Sequence, residues 1–164
     1  IYLGGFSNGA SMAFRAGAEL PGLVSAIGPV AGHWRVSPPP TDRPVPALMI
    51  FGGRDPLNPP DGGEVKTPWG SVEYHPPVLE SFDRWRAFNR CAGEPQTTAT
   101  DGVREFRATG CAPDGDVRCV IVDDLGHHWP GGPRLLPPWI AGPASTRVDG
   151  ARLLWDFFRA HRLG

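Results

Sequence analysis

The stretch Gly5-Phe6-Ser7-Asn8-Gly9 stands between an apolar, β-prone segment and a segment with helical patterning. Ile1-Tyr2-Leu3 predicts a strand, and residues 10–20 predict a helix. The five residues therefore predict a sharp turn from a strand into a helix. Glycines at positions 5 and 9 favour that turn, because a Cβ at either place is expected to collide with the strand or the helix.

The same stretch fits the pattern Gly-x-Ser-x-Gly, in which a strained turn presents a serine Oγ above the end of a sheet. Ser7 also lies at the N-terminus of the predicted helix, where backbone N–H groups and the helix dipole favour developing negative charge. The alternative is an ordinary loop, since a chain with 22 glycines can form the pattern by chance. Residues elsewhere in the chain are needed to distinguish the strained serine turn from an ordinary loop.

Length and composition predict a single domain over residues 1–164, with enough apolar and aromatic residues for a core. The 20 prolines fall mostly in connecting segments, which predicts long and stiff loops. The net charge of −1 gives no indication of a nucleic-acid partner or an anionic membrane surface. No apolar run is long enough to predict a membrane-spanning segment.

Three further apolar runs predict buried strands at residues 23–30, 47–51 and 117–122. Strand, helix and strand in succession indicate a parallel sheet with crossover connections. Asp55 follows the second of these runs and His127 follows the third, so both are expected at the carboxyl ends of strands, where ligands gather. Taken alone, Asp55 is equally typical of a turn residue that caps its own backbone.

The chain order Ser7, Asp55, His127 predicts a catalytic triad. Ser7 would attack a carbonyl carbon, His127 would accept the serine proton, and Asp55 would orient the imidazole. The backbone N–H of Asn8 would supply half of an oxyanion hole.

His128 is an alternative base, but Gly126 favours His127 because it lets the chain turn. His33, at another predicted strand end, either faces a pocket or is structural.

These residues lie in Gly-Phe-Ser-Asn-Gly-Ala-Ser-Met, Arg-Asp-Pro-Leu-Asn-Pro and Gly-His-His-Trp-Pro-Gly-Gly. The three motifs resemble polyhydroxybutyrate depolymerase-type esterases, a family with feruloyl and acetylxylan esterase relatives. The resemblance implies a three-layer α/β-hydrolase fold and a carboxylic-ester hydrolase that forms an acyl-enzyme. It also implies a secreted or cell-envelope protein, a small-molecule or polymeric ester substrate, and no metal or organic cofactor. Trp129 and Phe6 are candidate substrate contacts, with packing of the histidine loop as the alternative for Trp129.

Esterases of that family carry several strands before the serine turn, including a loop with the second oxyanion donor. This sequence begins at the serine strand, so we expect the C-terminal portion of a longer protein, with that strand at an edge of an incomplete sheet. Other interpretations stay open. They are another α/β-hydrolase, such as a serine peptidase or a thioesterase, or an inactive hydrolase-like binding module.

Cys91 and Cys111 both lie in loop-like sequence that flanks a predicted strand, which suggests a disulfide between them and an oxidising compartment. The alternative is two unrelated thiols. Cys119 falls inside an apolar run and is expected to be a buried free thiol. No cysteine spacing is typical of a metal site.

Two helices and a loop complete the prediction. Helical spacing of apolar residues predicts a helix over residues 77–89. Residues 61–68 are expected to form a glycine-bearing loop with Trp69 near its tip. A last helix is expected over residues 147–162, capped by Ser145 or Thr146 and with Trp155 on its apolar face.

Overall fold

A computed structural model describes residues 1–37 and 41–162. The chain begins with a strand, a helix and two strands, and two β-hairpins separated by a helix then precede the last strand. The elements are β1 Tyr2–Phe6, α1 Asn8–Glu19, β2 Ala26–Val30, β3 Ala47–Gly52, β4 Gly63–Lys66, β5 Val72–His75, α2 Val78–Phe88, β6 Gly93–Thr100, β7 Val103–Thr109, β8 Val117–Val122, α3 Pro138–Ala141 and α4 Gly150–Arg159.

Six of the strands form one mixed sheet in the order β1-β2-β3-β8-β7-β6. The strands β1, β2, β3 and β8 run parallel, whereas β7 and β6 extend the sheet as an antiparallel hairpin. Every residue of β2 and β3 is buried, which explains why both read as continuous apolar runs. Because the four parallel strands point the same way, the residues that follow them meet at one edge of the sheet.

The two faces of the sheet are covered by different helices. Ala47, Met49 and Phe51 of β3 belong to a buried cluster with residues of α1 and α2. The alternate residues Leu48 and Ile50 belong to a second cluster, with residues of α4. The period-2 alternation of a strand therefore sends successive side chains to opposite layers. The chain has an α/β architecture with the sheet between two helical layers.

The segment expected as a loop over residues 61–68 is instead part of a separate antiparallel hairpin. The strands β4 and β5 pair in register from Gly63 with His75 to Lys66 with Val72. Hydrogen bonds between Thr67 and Ser71 close the hairpin, and Trp69 lies at its tip with 70% exposure. Both strands have only four residues, so their pairing leaves a weak pattern in the sequence.

The last helix is shorter than expected and is capped by a different residue. Asp149 is the N-cap, and its side chain accepts a hydrogen bond from the backbone N–H of Arg152. The buried residues are Gly150, Leu154 and Phe157, at a spacing of four and three. The expectation for Trp155 was wrong, because that side chain lies on the outer face and is 60% exposed.

The disulfide hypothesis is confirmed, since Cys91 and Cys111 are bonded. Cys91 follows α2 and Cys111 follows β7, so the bond ties a helix to the antiparallel hairpin. A disulfide is compatible with an extracellular location. Cys119 is a free, fully buried thiol in β8, and burial raises its pKa. Within residues 1–37 and 41–162, no helix combines the length and apolarity needed to cross a membrane.

Candidate active site

Ser7 lies in the turn between β1 and α1, with a backbone that few non-glycine residues adopt. Its φ is 56° and its ψ is −119°, a conformation that costs about 1–3 kcal/mol and persists where the surroundings impose it. The Ser7 N–H donates to the Val30 carbonyl at 2.9 Å, which fastens the turn to the end of β2. The strand-turn-helix expected from the sequence is therefore present, with Ser7 at its strained point.

Two glycines make this turn possible, and only one of them was expected. A Cβ on Gly5 would overlap the Gly9 carbonyl and lie 2.8 Å from the Ala10 nitrogen. A Cβ on Gly32, just after β2, would overlap the Ser7 carbonyl. A Cβ on Gly9 would meet nothing within contact distance, so the expectation of a collision at Gly9 was wrong. Gly9 is exposed to solvent, so a side chain there would have open space.

Asp55 follows β3 and is 3% exposed. Its Oδ1 accepts hydrogen bonds from the backbone N–H groups of Leu57 and Asn58, both at 2.8 Å. Its Oδ2 lies 2.8 Å from Nδ1 of His127. Asp55 therefore makes both contacts that the sequence suggested, with the backbone of its own turn and with the histidine. One oxygen caps the turn and fixes the carboxylate, and the other meets the histidine.

His127 connects Asp55 to Ser7. Its Nε2 lies 3.0 Å from the Ser7 Oγ, and the residue is 4% exposed. The His127 N–H donates to the Ala141 carbonyl at 2.6 Å, and a Cβ on Gly126 would overlap that same carbonyl. Gly126 thus permits a close approach of the histidine loop to the end of α3, which differs from the turn expected from the sequence.

The alternative base, His128, points elsewhere. Its Nε2 lies 3.2 Å from the Gly142 carbonyl, and this contact belongs to the packing of the histidine loop. Adjacent residues in this tight loop direct their side chains to different partners. Only His127 of the two has a hydrogen bond with Ser7.

Ser7 and His127 line a cleft of about 560 Å³. Asn8, the first residue of α1, lines the cleft, and its N–H belongs to the helix terminus where no intrahelical acceptor is available. This places the N–H next to the nucleophile, where an oxyanion donor is needed; its catalytic role stays a prediction. Apolar side chains line other parts of the cleft: Phe6, Leu57, Trp69 and Leu136.

The two candidate substrate contacts differ in position. Phe6 lines the cleft, and its ring centroid lies 4.9 Å from that of His127. Trp129 does not line it. Its side chain is partly buried and packs against the cluster on the α4 face of the sheet, where the Gly132 backbone lies beside it. The packing interpretation is therefore the one that fits Trp129.

A polar network that the sequence did not indicate extends from the triad. Asn58 is buried, and its Nδ2 donates to the Ala31 carbonyl at 3.1 Å and lies 3.2 Å from His127 Nδ1. Its Oδ1 accepts from Nδ1 of His75, at 3.1 Å. The only sequence feature that links Asn58 to the site is its position three residues after Asp55. No sequence feature links His75 to the site, because its strand β5 was not expected.

His33 is buried beside this network at 1% exposure. Its ring centroid lies 5.3 Å from that of His75, in an edge-on arrangement. Burial, together with the neighbouring His75 and Arg35, lowers the pKa of His33 to about 4. The ring is therefore neutral at pH 7, and among the described residues neither ring nitrogen has a hydrogen-bond partner.

The fold and the site together define an α/β protein with a serine, a histidine and an aspartate joined by hydrogen bonds. The chain is 33% identical over 173 aligned residues to a protein of Nocardia uniformis subsp. tsuyamanensis named "Putative esterase NocK". The alignment covers 96% of this chain and 50% of that protein, so the chain spans about half the length of the curated relative. The similarity supports an esterase-type family. No family model matches the chain.

Proposed function

We propose that this chain carries the catalytic triad of a carboxylic-ester hydrolase of the α/β-hydrolase type. The observation that carries the proposal is the hydrogen-bonded series from Ser7 Oγ to His127 Nε2 at 3.0 Å and from His127 Nδ1 to Asp55 Oδ2 at 2.8 Å. A serine hydroxyl is too weak an acid to attack an ester at neutral pH unless a neighbouring base accepts its proton. The similarity to a protein named as an esterase supports the same class.

The first chemical step is the formation of an acyl-enzyme. Ser7 Oγ attacks the ester carbonyl carbon while its proton passes to His127 Nε2. Asp55 holds the Nδ1–H of the imidazole and stabilises the imidazolium that forms. The Asn8 N–H, at the N-terminus of α1, stabilises the oxyanion, and one such donor contributes about 3–4 kcal/mol to the transition state.

Acyl-enzyme formation is complete when the tetrahedral intermediate collapses, because the C–O bond to the alcohol breaks and His127 returns the proton to the leaving oxygen. The second step regenerates the serine. Water enters, loses a proton to His127, and attacks the acyl carbon. The carboxylic acid leaves and Ser7 recovers its proton. Among the protein groups, only Ser7 and His127 gain or lose a proton in these steps.

The finer proposal is a polyhydroxybutyrate depolymerase-like or feruloyl and acetylxylan esterase-like specificity, in a secreted or cell-envelope protein. The sequence motifs around Ser7, Asp55 and His127 support it. The apolar part of the cleft, with Phe6 and Trp69, suits an acyl or aromatic group beside the ester. The Cys91–Cys111 disulfide is compatible with such a location.

The decisive experiment compares the natural protein with its Ser7→Ala variant. A fluorophosphonate probe should label the natural protein at Ser7 and leave S7A unlabelled, and only the natural protein should hydrolyse p-nitrophenyl acetate. A well-folded natural protein with neither label nor hydrolysis would show an inactive binding module. A panel of feruloyl esters, polyhydroxybutyrate, thioesters and peptides then separates esterase from thioesterase and peptidase.

A further inference from the structure

The cleft that holds Ser7 also contains a guanidinium, that of Arg35. Arg35 follows β2 and lines the same cleft as Ser7 and His127, and it is exposed to solvent. Its Nη2 lies 3.2 Å from Nε2 and 3.4 Å from Nδ1 of His75, so the charged end lies against the imidazole ring. Within the described ranges, Arg35 makes no ion pair with a carboxylate.

The imidazole against which Arg35 lies is held in place. His75 is 7% exposed, and its Nδ1 donates to Asn58 Oδ1 at 3.1 Å. Its Nε2 faces Glu73 Oε2 at 3.3 Å as well as the Arg35 Nη2. Asn58 Oδ1 can only accept, so the Nδ1–H of His75 is the donor in that contact. The His75 ring thus lies against one nitrogen of the guanidinium, and within the described residues the other N–H groups of Arg35 make no hydrogen bond to a protein acceptor.

The one carboxylate near this guanidinium in the cleft lining is already engaged. Glu73 accepts from Ser71 Oγ through Oε1, at 3.3 Å, and faces His75 through Oε2. His33, deeper in the same wall, is neutral because its pKa is lowered. The cleft therefore presents one cationic group whose remaining donors have no protein acceptor among residues 1–37 and 41–162. A cation with open donors beside a nucleophile suits an anionic part of a substrate.

The chain connection between Gly32 and Arg35 limits how far the Arg35 backbone lies from Ser7. Gly32 lies against the Ser7 carbonyl, since a Cβ there would overlap it. Arg35 is three residues further along, so at most about 10–11 Å of extended backbone separates the two positions. The planar fork of an arginine matches a carboxylate through paired hydrogen bonds.

We propose that Arg35 is a specificity-determining residue that binds a carboxylate on the ester substrate, in the same cleft as the scissile carbonyl. The substrate class is an ester that bears a free carboxylate, such as a half-ester of a short dicarboxylic acid or a short oligoester with a free acid end. This inference rests on the proposed ester hydrolysis at Ser7. It adds a selectivity for charge that the triad alone does not give.

The test compares pairs of p-nitrophenyl esters that differ only in charge. Each pair has the half-ester of a dicarboxylic acid, from succinate to suberate, and the same ester with its distal carboxylate capped as a methyl ester. The natural protein should favour the charged member, with an optimum at one chain length. In Arg35→Gln the ratio of kcat/KM for charged over capped ester should fall about 10- to 100-fold, the scale of a charge-assisted hydrogen bond.

Two controls separate charge recognition from a general loss of structure. Arg152→Gln, on α4 and with 81% of its side chain exposed, should leave the ratio unchanged. Arg35→Lys keeps the charge and should retain part of the preference. Raising the salt concentration should lower the ratio of the natural protein, a readout that needs no variant.

The outcomes separate this inference from the proposed function. Hydrolysis of capped esters without preference for the charged member, or an equal loss on both members in R35Q, would overturn the role of Arg35 and leave ester hydrolysis standing. An absence of hydrolysis on every ester would overturn the proposed function, and the inference with it. A ratio insensitive to salt would also count against a carboxylate bound by Arg35.

Discussion

Two aspartate–histidine pairs lie at opposite ends of the sheet in this protein. Asp55 and His127 follow β3 and β8, at the carboxyl ends of the parallel strands, with 2.8 Å between Oδ2 and Nδ1. Asp116 immediately precedes β8, and its Oδ2 lies 3.4 Å from Nε2 of His161, after α4. The same two residue types thus occur in both places, and their surroundings give them different properties.

The Asp55–His127 pair makes its other contacts with backbone N–H groups of the turn after β3, with Asn58 and with Ser7. Asp55 accepts from two backbone N–H groups and from His127, whose second nitrogen meets Ser7. The other pair is part of a charge cluster, because Arg118 Nη2 lies 2.7 Å from Asp116 and Arg107 Nε lies 3.9 Å from it. Among the described residues, no serine, threonine or cysteine side chain forms a hydrogen bond with His161, whose Nδ1 donates to the Phe157 carbonyl at 2.7 Å.

The electrostatics of the second pair are those of a structural contact. Burial alone would raise the pKa of Asp116, but hydrogen bonds from His161 and Arg118 outweigh it and hold that pKa well below its usual range. The hydrogen bond to Asp116 raises the pKa of His161. Both groups therefore favour their charged forms and join the end of α4 to the start of β8. A chemically useful histidine needs a reacting partner in addition to a carboxylate.

The largest expected difference between the two pairs is in catalysis. Asp55→Asn should lower kcat about 10⁴-fold, because the amide holds the imidazole in the wrong tautomer for proton transfer from Ser7. The matched change Asp116→Asn should leave kcat within about twofold and lower the free energy of unfolding by about 1–3 kcal/mol. Ester hydrolysis and urea unfolding of both variants measure this. Equal losses of activity would remove the distinction between the pairs.

A second prediction concerns the turn at Ser7, which lies beside the Asp55–His127 pair and has no counterpart at the Asp116–His161 pair. Gly5→Ala should destabilise the fold by about 3 kcal/mol or more and remove hydrolysis, because its Cβ would overlap the backbone of α1. Gly9→Ala adds the same methyl group where nothing is within contact distance, and should change stability by less than about 1 kcal/mol. Thermal unfolding compares the two. A Gly9→Ala variant as unstable as Gly5→Ala would contradict the geometry of the turn.

The smallest expected effect is the pH dependence of the second pair. The raised pKa of His161 gives stability that is fully present below the unfolded value of about 6.5 and lost as pH rises through the folded value. The lowered pKa of Asp116 gives stability present above about pH 4 and lost on acidification. His161→Gln should therefore lower Tm by about 2–4 °C more at pH 5.5 than at pH 8.5. Equal shifts at both values would show that His161 is not charged in the folded protein.

The sequence predicted most of what lies on the parallel part of the sheet. Continuous apolar runs gave β2, β3 and β8, because strands buried on both faces carry few polar residues. The residues that follow those strands lie at one edge of the sheet, which is why Ser7, Asp55 and His127 could be predicted to lie close together. The structure brings the three together, and their catalytic roles stay predictions. Membership of the α/β-hydrolase fold stays a proposal as well.

The sequence was less informative where contacts come from short or mixed elements. The hairpin β4–β5 has four-residue strands with little alternation, so His75 and Glu73 could not be placed near Ser7. The α4 pattern put Trp155 on the apolar face, since periodicity alone does not fix which side of a helix meets the sheet. Trp129 follows the histidine in sequence, yet it packs away from the cleft.

By itself the sequence determined the order of the four parallel strands, the serine turn, and which residue types follow each of these strands. These features depend on local patterning and on a few glycines, which a sequence carries directly. Tertiary structure decided the rest. It decided that His127 and not His128 faces Ser7, that Gly32 and not Gly9 makes room for the turn, and that Arg35 and His75 share the cleft. The physical reason is that each depends on two segments far apart in the chain meeting within a few ångströms.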